Sequence, residues 1–256
     1  VTAASRDRGL DVIRARLAAA RSVCALTGSG ISSESGLPTF RGANGLWRSH
    51  RVAELASPAG FERDPHLVWT WYNERRAAHR SAVPSAGHHA LAELERRYGD
   101  FTLATQNVDG LHRRAGSTNV LELHGSLAEA RCNRCDARVA LDAPFPLEAT
   151  AHACGGRFRP DIVWFGESLP RGTFERAVAA AARADVVLVI GTSGVVEPAA
   201  SLATRAPRAD AFVVEINPEE TPISERADVA LRGTASAFLP RLLETADGAG
   251  VSLPVT

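Results

Sequence analysis

Ser22-Val-Cys-Ala-Leu-Thr-Gly-Ser-Gly-Ile-Ser32 reads as an apolar strand that runs through a glycine turn into the start of a helix. This is how a mononucleotide-binding unit begins. Glycine permits the tight turn and lets backbone N–H groups approach a phosphate at a helix N-terminus. Taken alone, the stretch would serve a plain strand-to-helix turn equally well. A dehydrogenase fingerprint asks for a third glycine where this chain has Ser33. It also asks for an acidic residue about 20 positions on, and none is evident.

Upstream, residues 6–20 carry Leu10, Ile13 and Leu17 at helical spacing. Residues 36–62 are rich in Gly, Pro and Ser and read as irregular. Asp64-Pro65 supplies a cap and a first-turn proline for a helix to about Arg80. A further helix is expected over 85–98, then strands over 101–105 and 119–123. The segment 128–160 reads as short irregular pieces. A helix over 172–183 leads into Asp185-Val-Val-Leu-Val-Ile190, and Ala211-Phe-Val-Val-Glu-Ile216 is a second such run. Continuous apolar strands are buried on both faces, and their alternation with helices implies a covered parallel sheet. The fold class is α/β: a Rossmann-like parallel sheet with helices on both faces, plus a small inserted zinc-ribbon/helical domain. Residues 1–36, 91–127 and 166–256 make the Rossmann-like core. Residues 37–90 form an inserted cofactor-loop and helical module, and 128–165 an inserted zinc-binding module.

The 256 residues carry 29 basic and 29 acidic side chains and are 45% hydrophobic. Neutral charge gives no electrostatic reason for binding nucleic acid or a membrane surface. No apolar run reaches the ~18 residues of a spanning helix. The first residues have no signal-type hydrophobic region, so the expectation is a cytoplasmic enzyme, and a monomer. Every basic residue is arginine, and lysine and methionine are absent. A codon-biased genome explains this blandly, but the chain then offers no lysine side chain to an enzyme acting on lysine.

Two short runs end in chemically capable residues. Phe101-Thr-Leu-Ala delivers Thr105-Gln-Asn-Val-Asp-Gly-Leu-His112, and Asn119-Val-Leu-Glu-Leu ends on His124-Gly125. Cys132-Asn-Arg-Cys135 has the spacing of a zinc knuckle, and Cys154-Gly-Gly looks like half of another. Position 151 is alanine, with His152 next. Imidazole is a good zinc ligand, so Cys132, Cys135, Cys154 and His152 form the expected set, one structural zinc per chain. A degenerate site and a distant fourth ligand remain open alternatives. Cys24, inside the first strand, reads as a small buried residue.

Six segments in order resemble the sirtuin family: Gly28-Ser-Gly-Ile-Ser32, Gly36-Leu-Pro-Thr-Phe-Arg41, Thr105 to His112, His124-Gly125, Arg159-Pro-Asp-Ile-Val-Trp-Phe-Gly-Glu167 and Gly191-Thr-Ser193. They span roughly residues 10–245. Ser29 stands where the family usually has alanine. The resemblance implies NAD-dependent removal of acyl groups from lysine side chains of proteins or peptides. It places Gly28, Ser29, Gly30, Ile31 and Ser32 at the pyrophosphate, and Phe40 and Arg41 over the cofactor. Gln106, Asn107, Val108 and Asp109 would surround nicotinamide and its ribose. Gly191, Thr192, Ser193, Asn217, Pro218, Glu219 and Ala235 would hold the adenosine half.

By the same resemblance the acyl-lysine peptide adds as a strand between Val163, Phe165, Gly166, Glu167 and the Val195 segment. His124 is the base that takes a proton from a ribose hydroxyl, and Asn107 orders hydroxyls and water. The products are nicotinamide, free lysine and O-acyl-ADP-ribose. His112 reads as structural.

Tyr72 and Arg75 carry the substrate clue. On the helix from Pro65, positions 68, 71, 72 and 75 share a face, and an arginine on an apolar stripe needs a partner. A bland reading has Arg75 reaching solvent or a structural carboxylate. The sharper one follows from the likeness of Tyr-x-x-Arg to class III sirtuins, which prefer acidic acyl groups. A guanidinium can grip a succinyl or malonyl carboxylate bidentately, with the tyrosine hydroxyl adding a bond. The rivals are a plain deacetylase, an NAD-dependent ADP-ribosyltransferase, an ADP-ribose sensor and a zinc-knuckle nucleic-acid binder.

Overall fold

Six parallel strands end on one rung, and that alignment builds the site. The computed structural model describes residues 3–38, 46–47, 50–205 and 207–244. Their strands are β1 (Ser22–Thr27), β2 (Leu46–Trp47), β3 (His50–Arg51), β4 (Asp100–Thr105), β5 (Val120–Glu122) and β6 (Gly125–Cys132). There follow β7 (Arg138–Ala140), β8 (Phe158–Ile162), β9 (Val186–Ile190), β10 (Phe212–Ile216) and β11 (Val229–Leu231). The large sheet has the order β11-β10-β9-β1-β4-β5. Taken in chain order, these six strands have the doubly wound 3-2-1-4-5-6 arrangement, with its switch point between β1 and β9.

Thr27 pairs with Thr105 and with Ile190, Thr105 with Glu122, Ile190 with Ile216, and Ile216 with Leu231. All six strands therefore release their chains at the same level. The segments starting at 28, 106, 123, 191, 217 and 232 emerge side by side.

Two apolar layers sandwich the sheet. Alternate strand residues face opposite ways. Val23 and Ala25 join Leu10, Ile13 and Leu17 of the helix Ala3–Ala19, and Leu91 and Leu94 of the helix Ala86–Arg97. Cys24 and Leu26 face Ala177, Ala180 and Ala181 of the helix Arg171–Arg183. Cys24 is buried as expected, and burial pushes its thiol up to about 12.

A third apolar cluster lies outside these layers and shares no residue with them. It is aromatic, built from Phe61, Trp69, Trp71, Tyr72, Phe145 and Trp164 with Leu55, Leu127 and Ile162. Trp69 stacks on Phe145 at 4.0 Å between ring centroids. The helix Pro65–Ser81 begins as expected, with the Asp64 carboxylate accepting from the Leu67 N–H at 2.9 Å.

Two expectations are corrected here. Residues 36–62 are not uniformly irregular, because Val52–Leu55 and Pro58–Arg63 are short helices, the second capped by the Ser57 side chain on the Gly60 N–H. Residues 128–160 are not merely irregular pieces either. A three-stranded antiparallel sheet, β7-β6-β8, runs through them, with a register shift between Gly125 and Ala130 that blurs its alternation. The short β11 and the helix Ala235–Leu242 also add to the expected elements.

Candidate functional site

At the switch point two turns touch backbone to backbone. The Gly30 N–H donates to the Gly191 carbonyl at 2.8 Å, and the Gly28 N–H to the Ile190 carbonyl at 3.0 Å. A Cβ on Gly28 would lie 2.8 Å from the Gly191 oxygen, and one on Gly30 2.7 Å from the Gly191 Cα. A Cβ on Gly191, whose φ is +58°, would lie 2.6 Å from the Ile31 nitrogen. Any side chain at these three places separates the turns. They set bare backbone at the C-terminal ends of β1 and β9, the place where doubly wound sheets bind dinucleotides. The Ile31 side chain is fully buried in the core, which leaves only its backbone to face the turn.

Beside these turns the polar residues after β4 hold one another. The Asn107 side-chain N–H donates to the Gly28 carbonyl at 3.0 Å and to Ser32 Oγ at 3.1 Å. Ser32 Oγ donates its own proton to Asp109 at 2.7 Å, and Asp109 also accepts the Leu111 N–H at 2.9 Å. Burial raises the Asp109 carboxyl above its usual range against these donors. Gln106 Nε2 donates to Thr192 Oγ1 at 2.8 Å, linking the third turn to the second. Val108 packs on the aromatic cluster instead. Beneath the site lie buried His88 and His112, the latter 2.8 Å from Thr27 Oγ1 through Nε2, in keeping with a structural part for it.

His124 follows β5. Its Nδ1 is 3.0 Å from the Gln106 carbonyl, an acceptor, so Nδ1 carries the proton and Nε2 keeps its lone pair. Burial lowers its pKa below the ordinary value, against the raising effect of that hydrogen bond. The imidazole is thus neutral at neutral pH and able to accept a proton.

On the opposite side, Asn217 Nδ2 donates to the Thr192 carbonyl at 2.8 Å, and Asn217 Oδ1 accepts from the Glu219 N–H at 3.2 Å. Pro218 is exposed, as are Glu219 and Ser193, while Ala235 is buried at its helix start against Gly87. Sequence reading missed what braces this turn. Glu215 is 1% exposed, accepts from Arg232 at 2.7 Å and from Ser224 at 2.6 Å, and also takes the Thr221 hydroxyl. Its signal was a single acid inside an apolar strand, which must be paired to be buried. Ser29, next to the first glycine, is αR. Phe40 and Arg41 lie outside the described residues.

Tyr72, expected at the acyl group, lies in the aromatic cluster, with Arg75 one turn along the same helix. Tyr72 is buried, and its hydroxyl oxygen accepts the Trp164 indole N–H at 2.8 Å. Burial pushes its phenol up to about 12. One turn on, the Arg75 guanidinium sits 5.1 Å over the Trp71 ring. Its Nε is shut from solvent with no hydrogen-bond partner, and no carboxylate pairs with it among the described residues. Burial lowers its pKa. His79, a further turn along, has an unpartnered buried Nδ1 and is brought down to about 4 by burial and by Arg75.

Adjacent Arg76 is the arginine that sequence reading passed over. It is 5% exposed and donates to the carbonyls of Leu127, Ala143 and Leu141 at 2.9, 2.9 and 2.5 Å.

The segment 163–167 turns back beside Tyr72. Its N–H groups at Val163, Trp164, Phe165 and Glu167 are taken by His124, the Glu167 carboxylate, Ala56 and Trp164. The Gly166 amide, at φ +86°, has no partner among the described residues. The Glu167 side chain pairs with Arg159, with one contact at 2.9 Å. Phe165 and, across the cleft, Val195 are exposed.

Cys132, Cys135, His152 and Cys154 place their ligand atoms within 4.8 Å of one another. Individual separations are 3.5 Å (Cys132–Cys154), 3.4 Å (Cys135–His152 Nδ1) and 3.2 Å (His152 Nδ1–Cys154). Tetrahedral zinc with Zn–S of ~2.3 Å and Zn–N of ~2.0 Å spaces its ligands by about 3.5–3.8 Å, so the set fits. Burial opposes ionisation of Cys132, yet the Cys135 and Arg134 N–H groups and the neighbouring thiols bring it to about 6. A thiolate is what zinc requires. The cluster sits away from His124, at the far end of β6, as suits a structural ion.

Comparison with known proteins gives consistent matches. The Sir2 family profile matches residues 28–198. The chain is 50% identical over 238 residues to an NAD-dependent protein deacylase of Thermus thermophilus, covering 91% of this chain and 94% of that one. It is 51% identical over 229 residues to NAD-dependent protein deacylase 2 of Pyrobaculum aerophilum, covering 89% and 92%. Among solved structures, a Sir2 homolog–NAD complex superposes with TM-score 0.85 at 44% identity, covering 91% of each chain. A Sir2 mutant with a p53 peptide and NAD gives 0.78 at 31%, covering 91% and 96%. No helix among the described residues is long and apolar enough to cross a membrane.

Proposed function

The chain belongs to the Sir2 family, and from that premise we propose that it is an NAD-dependent protein-lysine deacylase favouring succinyl and malonyl groups over acetyl. The deacylase part rests on similarity to deacylases over about nine-tenths of the chain and on the closely packed glycine turns at the switch point of the sheet. The acyl part rests on one observation: beside Tyr72, the Nε of half-buried Arg75 is shut from solvent with no hydrogen-bond partner among the described residues. An unpaired buried guanidinium is costly, and a ligand carboxylate removes that cost on binding.

NAD, when bound, supplies an electrophilic ribose carbon and the hydroxyl that receives the acyl group. The chain's residues do the rest. The turn at 28–32 and the Gly191–Ser193 turn clasp the phosphates and adenosine half. Asn107, held by Gly28 and backed by Ser32 and Asp109, keeps the amide that orders ribose hydroxyls in one orientation. His124 Nε2 takes the hydroxyl proton, and the Gln106 carbonyl on Nδ1 steadies the charge that forms. The peptide lies extended along 163–167, where backbone bonds give affinity with little side-chain code. Zinc bound by Cys132, Cys135, His152 and Cys154 ties β6 to the segment before β8.

The deciding experiment is kcat/KM on one peptide bearing acetyl-, malonyl- or succinyl-lysine, followed by nicotinamide release. Values at least about tenfold higher for the acidic acyl groups are expected. Equal values remove the acyl preference and leave a general deacylase.

A further inference from the structure

We infer that Trp164 is a positioning residue for acyl selectivity: its indole N–H occupies the Tyr72 hydroxyl oxygen and so aims the hydroxyl's only proton at the incoming acyl carboxylate. This rests on the proposed preference for acidic acyl groups and adds a determinant that lies 92 positions from Tyr72, on the peptide-holding segment.

The geometry is specific. Trp164 Nε1 lies 2.8 Å from the Tyr72 oxygen, and both residues are almost fully buried. A phenol has one proton, confined to a cone about the C–O bond. With a donor on one side of the oxygen, the proton turns away from it. No acceptor for that proton is found among the described residues. Its partner must arrive, as must that of Arg75 one helical turn on. Accepting one bond also strengthens the hydroxyl as a donor.

Trp164 is itself held on three sides. The Arg159 guanidinium lies 3.3 Å over its ring, its backbone N–H donates to Glu167 at 2.8 Å, and Phe61 packs on it at 5.5 Å between centroids. The indole therefore cannot swing aside, and the N–H direction is fixed by the same Arg159–Glu167 pair that shapes the peptide segment.

The test replaces Trp164 by β-(3-benzothienyl)alanine, which keeps the ring shape and puts sulfur where the N–H was. Trp164→Phe serves as a second variant. The readout is the ratio of desuccinylation to deacetylation kcat/KM on one peptide, so that any general loss cancels. A fall of about fivefold is expected, the value of one neutral hydrogen bond. The same replacement in a Tyr72→Phe background should leave the ratio where Tyr72→Phe alone puts it. An unchanged ratio in a protein whose wild type does prefer succinyl overturns this inference and spares the acyl reading. A ratio that falls as far without the Tyr72 hydroxyl overturns it too. A wild type with no acidic preference overturns both.

Discussion

Arg75 and Arg76 are neighbours on one helix and opposites in bonding. Arg76 spends its donors on three carbonyls and pins the helix to the zinc-bearing sheet. Arg75 keeps a buried Nε with nothing to bond. The contrast repeats at larger scale. Around the cofactor turns Asn107, Ser32, Asp109, Gln106 and Thr192 satisfy one another before any ligand arrives. In the aromatic arm, Arg75 Nε and His79 Nδ1 have no partner among the described residues. A region built for an invariant ligand can be finished in advance. A region that discriminates must leave the discriminating bond unmade, since specificity comes from groups left unpaired by the wrong ligand.

Substitutions can break this contrast at either end. His124→Ala, on the finished side, should lower kcat for every acyl group alike by about a thousandfold with an unchanged circular dichroism spectrum. Retained turnover would dismiss His124 as the base. Arg75→Met should lower desuccinylation about a hundredfold and deacetylation far less, with little loss of folding stability because the guanidinium pairs with no carboxylate among the described residues. Equal losses on the two acyl groups would make Arg75 structural.

Arg76→Met should do the reverse. Orphaning buried carbonyls costs about 2–4 kcal/mol in urea unfolding, and the acyl ratio should stay put. If the two arginine variants behave alike, the contrast drawn here is wrong. A milder effect concerns His152. His152→Ala should lower zinc retained after dialysis against a chelator, while His152→Cys should keep it.

The smallest effect is a pH dependence. His79 and His88 are each lowered to about 4 in the fold, from 6.5. Between those values the unfolded chain binds more protons, so stability rises with pH across this window and is lost as pH falls from about 6.5 toward 4. The urea midpoint should follow that slope, and His79→Leu should flatten it. An unaltered slope would mean that His79 is not buried as described.

The sheet was legible because its code is local. Val186–Ile190 is apolar throughout, Phe212–Ile216 is apolar but for Glu215, and Gly28 and Gly191 stand directly after strands. The six-strand rung then follows from parallel pairing. The β6 strand was hidden because a register shift breaks its alternation. Glu215 hid inside an apolar run, although a lone acid there was itself a signal. Arg75 and Arg76 differ by one helical step of about 100°, and a stripe of four positions cannot tell which of them meets carbonyls from residues 127–143. The Trp164–Tyr72 bond was out of reach for a plainer reason: it joins residues whose meeting depends on the whole fold.

The aromatic cluster that carries Tyr72 and Trp164 shares no residue with the two layers that sandwich the sheet. Substitutions that retune the chemistry read by one need not be paid back in the packing of the other. A lineage, or a designer, can therefore vary the aromatic cluster through many intermediate sequences while the packing beneath the cofactor turns is inherited intact.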